Sequence, residues 1–181
     1  MRMNPIIIER NRDITNIDIK LKKNKPIIVF DIHKTTLLKS EEPDTEVKKY
    51  IKQFLKHNYN VIFLSYDGND KRIIYNNMLI DKVSLYTDIP RIFIKKRKKH
   101  LVLKHLTKQL HKISKNNDMK YYSILIDDNI NNINDVLELK YDQISAYYYT
   151  KNNRYDGNND LHKLSIYFPI LTLSKDGNFI Y

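Results

Sequence analysis

Asp31, His33 and Thr35 stand at two-residue spacing directly after an apolar run, in the stretch IIVFDIHKTT at positions 27–36. A carboxylate at the end of a buried strand is the kind of group that attacks phosphorus and forms an aspartyl-phosphate. Sites of this kind usually carry a second aspartate where this chain has His33. The stretch therefore predicts phosphate chemistry and raises the question of which group transfers protons.

Two further apolar runs end in polar residues. VIFLS (61–65) ends in Ser65, and YSILI (122–126) is followed by Asp127 and Asp128. Ligands of open α/β sheets bind at the carboxyl ends of the strands, so we expect these groups to share one edge. A single Asp after a strand is often only a turn residue or a helix cap. Their joint occurrence favours a functional site.

Carboxylates that converge repel one another unless a cation joins them. Mg²⁺ prefers oxygen ligands and often shares its shell with substrate phosphate, so it is the expected cofactor. A hydroxyl and a lysine would then hold the phosphoryl oxygens and offset charge in the transition state.

The elements that position these residues alternate between strands and helices. Four apolar segments are typical of strands buried on both faces: 27–30, 61–65, 91–94 and 122–126. Apolar residues at helical spacing predict four helices between and after them: 45–55, 70–80, 99–114 and about 133–137. The pattern predicts a doubly wound α/β fold with a mostly parallel, Rossmann-like sheet.

The ends of the chain are less regular. Residues 6–22 alternate partly, which indicates either a hairpin or an added edge strand, and 144–149 and 166–173 are typical of further strands. Residues 150–160 carry turn signals of a polar loop. We predict one domain over 1–181, with a core at about 25–150 and extensions at 1–24 and 151–181 packed on it.

Composition limits the class of protein. The chain has no Cys, which excludes disulfides and thiolate metal sites, and it has neither a signal-peptide-like start nor a membrane-length apolar run. We therefore expect a soluble intracellular protein. The net charge of +11 attracts anions and makes nucleic acid a possible partner. The abundance of Lys, Asn, Ile and Tyr also fits A/T-rich codons, which weakens that argument.

Together these segments resemble the haloacid dehalogenase superfamily of phosphohydrolases. Its first motif, Asp-x-Asp-x-Thr or Val after an apolar strand, is matched by IIVF-DIHKT. Its second, an apolar strand ending in Ser or Thr, is matched by VIFLS, and its fourth, with an acidic pair, by SILIDDNINN. The resemblance covers roughly residues 25–137. A receiver-type phosphoacceptor domain has similar ingredients, but its acidic pair follows the first strand, whereas here the pair comes late.

The resemblance implies a role for each matching residue. Asp31 would be the nucleophile and a metal ligand, and the main-chain carbonyl of His33 would be a second metal contact. Thr35 would support the loop, and Ser65 would hydrogen-bond the phosphoryl group. The metal-binding aspartate of the fourth motif is matched by Asp128. Its neighbours are Asp127 and, further along, Asn132.

The third motif is a Lys or Arg near the start of the helix before the fourth, and KKRKKHLVLK offers several choices. The helical phase begins near Lys99, which is the first choice, and Lys98 is the second; both would bind substrate. The short segments between the motifs leave no room for a large cap domain. By family analogy, an open, minimally capped site accepts macromolecular or extended substrates.

His33 is the departure from the family pattern. In that family, the second Asp of the first motif protonates the leaving oxygen and then activates water. Three outcomes follow: His33 works as an altered acid/base, it leaves a slow or leaving-group-restricted enzyme, or the site is a non-catalytic relic. If neutral His33 is the base, the rate should rise through roughly pH 6–7.

Residues 95–112 carry eight Lys/Arg and three His. They form either a track for a phosphate backbone or a solvated helix face. The three His lack a tight metal pattern, so no zinc site is predicted. Tyr147–Tyr149 could stack on bases, although core packing is favoured for a strand.

The sequence predicts a Mg²⁺-dependent phosphomonoester hydrolase, with nucleic-acid ends or nucleotides as favoured substrates and phosphoprotein left open as another. The alternative is a catalytically silent domain of the same fold that binds nucleic acid or a protein partner.

Overall fold

The computed structural model describes residues 3–96, 98–114 and 122–149, together with the short strands Thr172–Leu173 and Phe179–Ile180. Those two strands pair antiparallel with each other and are separate from the main sheet. The first of them falls within the strand predicted at 166–173. The polar loop predicted at 150–160 lies outside the described residues.

The main elements alternate along the chain. The strands are β1 (Ile6–Ile8), β2 (Ile27–Phe30), β3 (Asn60–Tyr66), β4 (Arg91–Ile94), β5 (Ser123–Asp127) and β6 (Ile144–Tyr148). The helices are α1 (Thr45–Lys56), α2 (Asp70–Asp81), α3 (Lys99–Ile113) and α4 (Ile130–Leu137), with 3₁₀ helices at Asn11–Asn16 and Ser84–Tyr86. The four central strands and all four helices lie within a few residues of their predicted positions. Asp127 is the last residue of β5 instead of the residue after it.

All six strands are parallel and lie in the order β1-β4-β3-β2-β5-β6. The chain builds outward from β2 through β3 to β4, and then returns to place β5 on the other side of β2. The winding direction therefore reverses between β2 and β5, which opens a crevice at their carboxyl ends. This sheet is the Rossmann-like α/β arrangement that the sequence predicted.

Helices cover both faces of the sheet. One buried cluster packs α1 and α2 against side chains such as Ile28, Phe30 and Phe63. The second packs α3 and α4 against the opposite face, through Val29, Ile62 and their neighbours. Because adjacent residues of one strand point to opposite faces, strands covered on both sides must be apolar throughout. That requirement explains the uninterrupted IIVF run of β2.

Strand β1 decides between the hairpin and the edge strand that were expected for residues 6–22. It forms no hairpin there but adds a parallel edge strand beside β4, with Ile6 paired to Ile92 and Ile8 to Ile94. The N-terminal segment is thus partly built into the sheet. At the other edge, Tyr147 and Tyr149 are buried while Tyr148 is exposed, which is the alternation expected of a strand.

α1 shows how local sequence and tertiary contact cooperate. Asp44 caps the helix, because its Oδ1 accepts hydrogen bonds from the N–H groups of Glu46 at 2.9 Å and Val47 at 3.2 Å. Its other oxygen accepts a bond from the Tyr149 hydroxyl at 3.0 Å, just beyond β6. One buried carboxylate thereby begins a helix and ties it to the far edge of the sheet.

Candidate active site

The crevice between β2 and β5 brings Asp31 and Asp127 together. Asp31 follows β2, and its N–H donates to the carbonyl of Ile126 in β5 at 2.8 Å. The carbonyl of Asp127 accepts a bond from the N–H of Tyr149 at 2.9 Å. These backbone hydrogen bonds set the relative position of Asp31 and Asp127, and both side chains are buried. Residues 96 positions apart in sequence meet because their strands are neighbours.

Three carboxylates converge here. One oxygen from each of Asp31, Asp127 and Asp128 lies within 4.8 Å of the other two, so this group could hold a metal ion. Asp127 is also fixed by hydrogen bonds from the N–H of Asn129 to Oδ1 at 2.8 Å and from Asn132 Nδ2 to Oδ2 at 3.0 Å. The acidic pair and the following asparagines therefore form one connected arrangement.

Lys99 links two of these carboxylates. Its Nζ lies 2.6 Å from Asp127 Oδ2 and is also hydrogen-bonded to Asp31 Oδ1. Burial alone would lower the pKa of this ammonium group, but the charges of Asp31 and Asp127 outweigh burial, and the pKa is raised. Lys99 is therefore charged at neutral pH. As the first residue of α3, it enters the site from the helix that the sequence placed before the acidic pair.

The charge balance remains unfavourable for Asp31. Burial and the negative charges of Asp127 and Asp128 raise its pKa to about 7, although Lys99 acts in the opposite direction. Burial and Asp127 also raise the pKa of Asp128, against the influence of Lys34 and Lys99. One lysine thus does not neutralise three carboxylates in this volume.

These groups line a cavity of about 490 Å³ at the carboxyl edge of the sheet. Ser65, buried at the end of β3, lines it together with the carboxylates, His33 and Lys99. The cavity is also lined by polar residues that the sequence did not assign to the site: Lys34, Lys39, Glu41, Arg72 and Asn129. Between β2 and β3 the chain forms only the loop 31–44 and α1, so nothing larger covers this opening from that side.

His33 stands two residues beyond Asp31, at a half-buried position on the cavity wall. Its Nε2 is buried and makes no hydrogen bond within the described part of the chain. Burial lowers the pKa of His33; Arg72 and Lys99 act the same way, while Asp67 and a hydrogen bond with Asn76 oppose them. The lowered pKa favours the neutral imidazole at pH 7, and Nε2 is left without a described hydrogen-bond partner.

Two of the predicted residues occupy other positions than their proposed roles require. Lys98 is exposed at the N-cap of α3 and does not line the cavity, unlike its neighbour Lys99. Thr35 is fully buried, but its hydroxyl bonds no described residue. The neighbouring Thr36 supports the loop instead, because its hydroxyl donates to the carbonyl of Asp31 at 2.7 Å.

Sequence reasoning missed Asp67 and Arg72. Asp67 follows β3 with a fully buried side chain, and its Oδ1 lies 3.3 Å from Arg72 Nε. Its Oδ2 accepts a hydrogen bond from Asn76 Nδ2 at 2.6 Å. One sequence signal was available, since Asn76 lies on the face of α2 that also carries the buried Ile73 and Ile80. A polar residue on such a face indicates a buried polar partner.

The basic segment before and within α3 is not one continuous exposed track. Lys95 is engaged by Glu9 at 2.9 Å and Asp70 at 2.7 Å, and Lys99 is buried in the site. Lys108 and Lys112 are exposed further along the helix.

Among the described residues, no helix is long and apolar enough to cross a membrane.

No protein-family model matches this chain, and no curated protein is significantly similar to it in sequence. The fold and the site therefore carry the functional argument alone.

Proposed function

We propose that this protein is a Mg²⁺-dependent phosphomonoester hydrolase that forms an aspartyl-phosphate on Asp31. The main support is the meeting of Asp31, Asp127 and Asp128 within 4.8 Å at the reversal point of the sheet. Lys99 and Ser65 line the same cavity. The proposal agrees with what resemblance to the haloacid dehalogenase superfamily implies for this order of motifs.

The donor set suits a hard divalent cation. All three side chains offer carboxylate oxygens, which Mg²⁺ and Ca²⁺ prefer over nitrogen or sulfur ligands. Burial and its acidic neighbours raise the pKa of Asp31 to about 7, which supports a site that would gain from an added positive charge. A cation held by Asp31, Asp127 and Asp128 would keep Asp31 ionised and attract substrate phosphate. The family pattern adds the carbonyl of His33 as a further contact.

In the first half of the reaction, an oxygen of Asp31 attacks phosphorus. A new bond forms between that oxygen and phosphorus while the bond from phosphorus to the leaving oxygen breaks. Lys99 donates hydrogen bonds to the phosphoryl oxygens and offsets their charge, and the Ser65 hydroxyl donates a further one. Because His33 is neutral, the leaving oxygen takes its proton from solvent, which favours leaving groups that are stable as anions.

In the second half, water attacks the phosphorus of the aspartyl-phosphate. His33 accepts one proton of this water, the bond from phosphorus to Asp31 breaks, and inorganic phosphate leaves. The imidazolium then loses its proton to solvent, which restores neutral His33. Each cycle consumes one phosphomonoester and one water, and it yields one alcohol and one phosphate.

The test is phosphate release from 4-nitrophenyl phosphate with Mg²⁺, compared with the same reaction in EDTA. We expect Mg²⁺-dependent turnover by the wild type and a loss of at least about a thousandfold in Asp31→Asn, which removes the nucleophile. Asp142→Asn, an exposed aspartate outside the cavity, is the matched control and should retain activity.

Wild-type protein that hydrolyses no aryl, alkyl or nucleotide monoester would refute the proposal. Equal activity of Asp31→Asn and the wild type would refute the assignment of the nucleophile.

A further inference from the structure

A buried carboxylate with an exposed arginine partner lies on the His33 side of the site. The Asp67 side chain is 0% exposed, whereas that of its partner Arg72 is 67% exposed. A buried charge is costly unless it is paired and hydrogen-bonded. Asp67 is hydrogen-bonded at Oδ2 by Asn76 and is paired at Oδ1 with Arg72, whose Nε lies 3.3 Å away without forming a hydrogen bond. The ion pair therefore draws the Nε edge of the guanidinium towards Asp67.

The other edge of the guanidinium has no partner among the described residues. Within residues 3–96, 98–114 and 122–149, the ion pair with Asp67 is the only polar contact of the Arg72 side chain, and it involves Nε. No described residue therefore occupies the terminal N–H groups. A planar guanidinium matches phosphate oxygens in a two-pronged geometry, and fixing it in advance reduces the entropy lost on binding.

Arg72 is also correctly located to meet substrate. It lines the same cavity as Asp31, Ser65 and Lys99. His33 lines this cavity as well, so the guanidinium and the imidazole face the same space. In the proposed reaction, Lys99 and Ser65 would bind the transferred phosphoryl group, and Asp31, Asp127 and Asp128 would hold the cation beside it. A further positive charge on the His33 side of the cavity would then meet an anion on the leaving group.

We propose that Arg72, positioned by Asp67, binds a second phosphate on the leaving group of the substrate. This proposal rests on the function proposed above and narrows its substrate class to phosphomonoesters that carry another phosphate. Arg72 is the residue that determines this specificity. Asp67 is a positioning residue that acts through it. Lys34 and Lys39 line the same cavity and add to its attraction for anions.

Two nucleotides that differ by one phosphate test the proposal: thymidine 3′,5′-bisphosphate and thymidine 3′-phosphate. Calorimetric titration with Ca²⁺ in place of Mg²⁺ measures their affinities. Arg72→Gln should weaken binding of the bisphosphate about tenfold, the loss expected for one charge-assisted contact, and leave the monophosphate within about twofold. Lys71→Gln removes the same charge from the adjacent exposed residue outside the cavity, and it should change neither affinity.

Kinetics with Mg²⁺ separate binding from chemistry. Arg72→Gln should raise KM for the bisphosphate about tenfold with little change in kcat, because the contact is the same in the ground and transition states. Asp67→Asn, which leaves Arg72 charged but less fixed, should raise KM by a smaller factor and also spare kcat. Loss of kcat on both nucleotides would overturn the proposal, because Arg72 would then act on the transferred group.

Equal affinity of the wild type for the two nucleotides would also overturn it. The dinucleotide TpTp, which ends in a 3′-phosphate and in which the second group is a 5′-phosphodiester, separates two sources of this chemistry. Dependence on Arg72 for TpTp indicates a polynucleotide end, and dependence for the bisphosphate alone indicates a free nucleotide. If the protein bound the bisphosphate through Arg72 but hydrolysed nothing, the hydrolase proposal would fail while the binding site stood.

Discussion

Protonation of Asp31 should make the stability of the metal-free protein depend on pH. Its pKa is 3.8 in an unfolded chain and about 7 in the folded protein, because burial and the neighbouring carboxylates disfavour its charge. Between these values the folded state binds the proton and the unfolded state does not. Stability from this group is therefore full below about pH 4 and is lost as the pH rises towards 7.

The size of the effect follows from the shift. About three pKa units at roughly 1.4 kcal/mol each give about 4 kcal/mol, most of it lost between pH 4 and 7. Asp31→Asn is neutral at every pH and has almost the same shape, so the difference between variant and wild type isolates Asp31. In EDTA, the free energy of unfolding of the variant relative to that of the wild type should rise by about 3–4 kcal/mol between pH 4 and pH 7.

Urea unfolding at pH 4, 5, 6 and 7 measures this difference. Added Mg²⁺ should stabilise the wild type at pH 7 more than the variant, because binding to the folded state adds stability by mass action and Asp31 is a proposed ligand. A difference in unfolding free energy that stays constant over this pH range would show that burial and the neighbouring carboxylates do not raise the pKa of Asp31, which would refute the reasoning.

Three further predictions concern single side chains. Because neutral His33 is a poor proton donor, the wild type should hydrolyse aryl phosphates at least about a hundredfold faster than alkyl phosphates. His33→Asp should lower this ratio of aryl to alkyl rates. An unchanged ratio would show that His33 takes no part in leaving-group chemistry. Lys99→Met should lower kcat for 4-nitrophenyl phosphate by about a hundredfold or more, whereas Lys98→Met should stay within about twofold; equal losses would contradict the assignment of Lys99. In chemical denaturation, Thr36→Val should lower the free energy of unfolding by about 1–2 kcal/mol, because it leaves the Asp31 carbonyl without its hydroxyl donor. The matched control is Thr35→Val. It should lower the free energy of unfolding by less, because the Thr35 hydroxyl has no described partner.

Much of the fold could be predicted because its strands are covered on both faces. A strand such as IIVF, with no exposed side, must be apolar at every position, and this makes it visible in the sequence. The same reasoning marked Asp31 and Asp127 as interruptions of apolar runs. The third motif of the family resemblance calls for a Lys or Arg near the start of this helix, and helical phase selected Lys99 from the run of lysines. Lys99 contacts both carboxylates.

The loop after β2 shows where local pattern fails. Thr35 and Thr36 are adjacent, identical in chemistry and both buried. Only the course of the backbone, in which Lys34 adopts a positive φ of 56°, decides which hydroxyl reaches the Asp31 carbonyl. The family motif points to Thr35 as the residue that supports the loop, and the structure shows that the hydroxyl of Thr36 donates to the Asp31 carbonyl.

The sequence by itself determined the four central strands, the four helices and the types of polar residue at the strand ends. Only the tertiary structure decided that β5 lies beside β2, because strand order depends on how the crossing helices pack and not on any one segment. That neighbour relation brings Asp31 to Asp127. The tertiary structure also decided that Asp67 is buried and paired with Arg72. Burial depends on which other segments cover a residue, and the sequence around Asp67 does not indicate which segments these are.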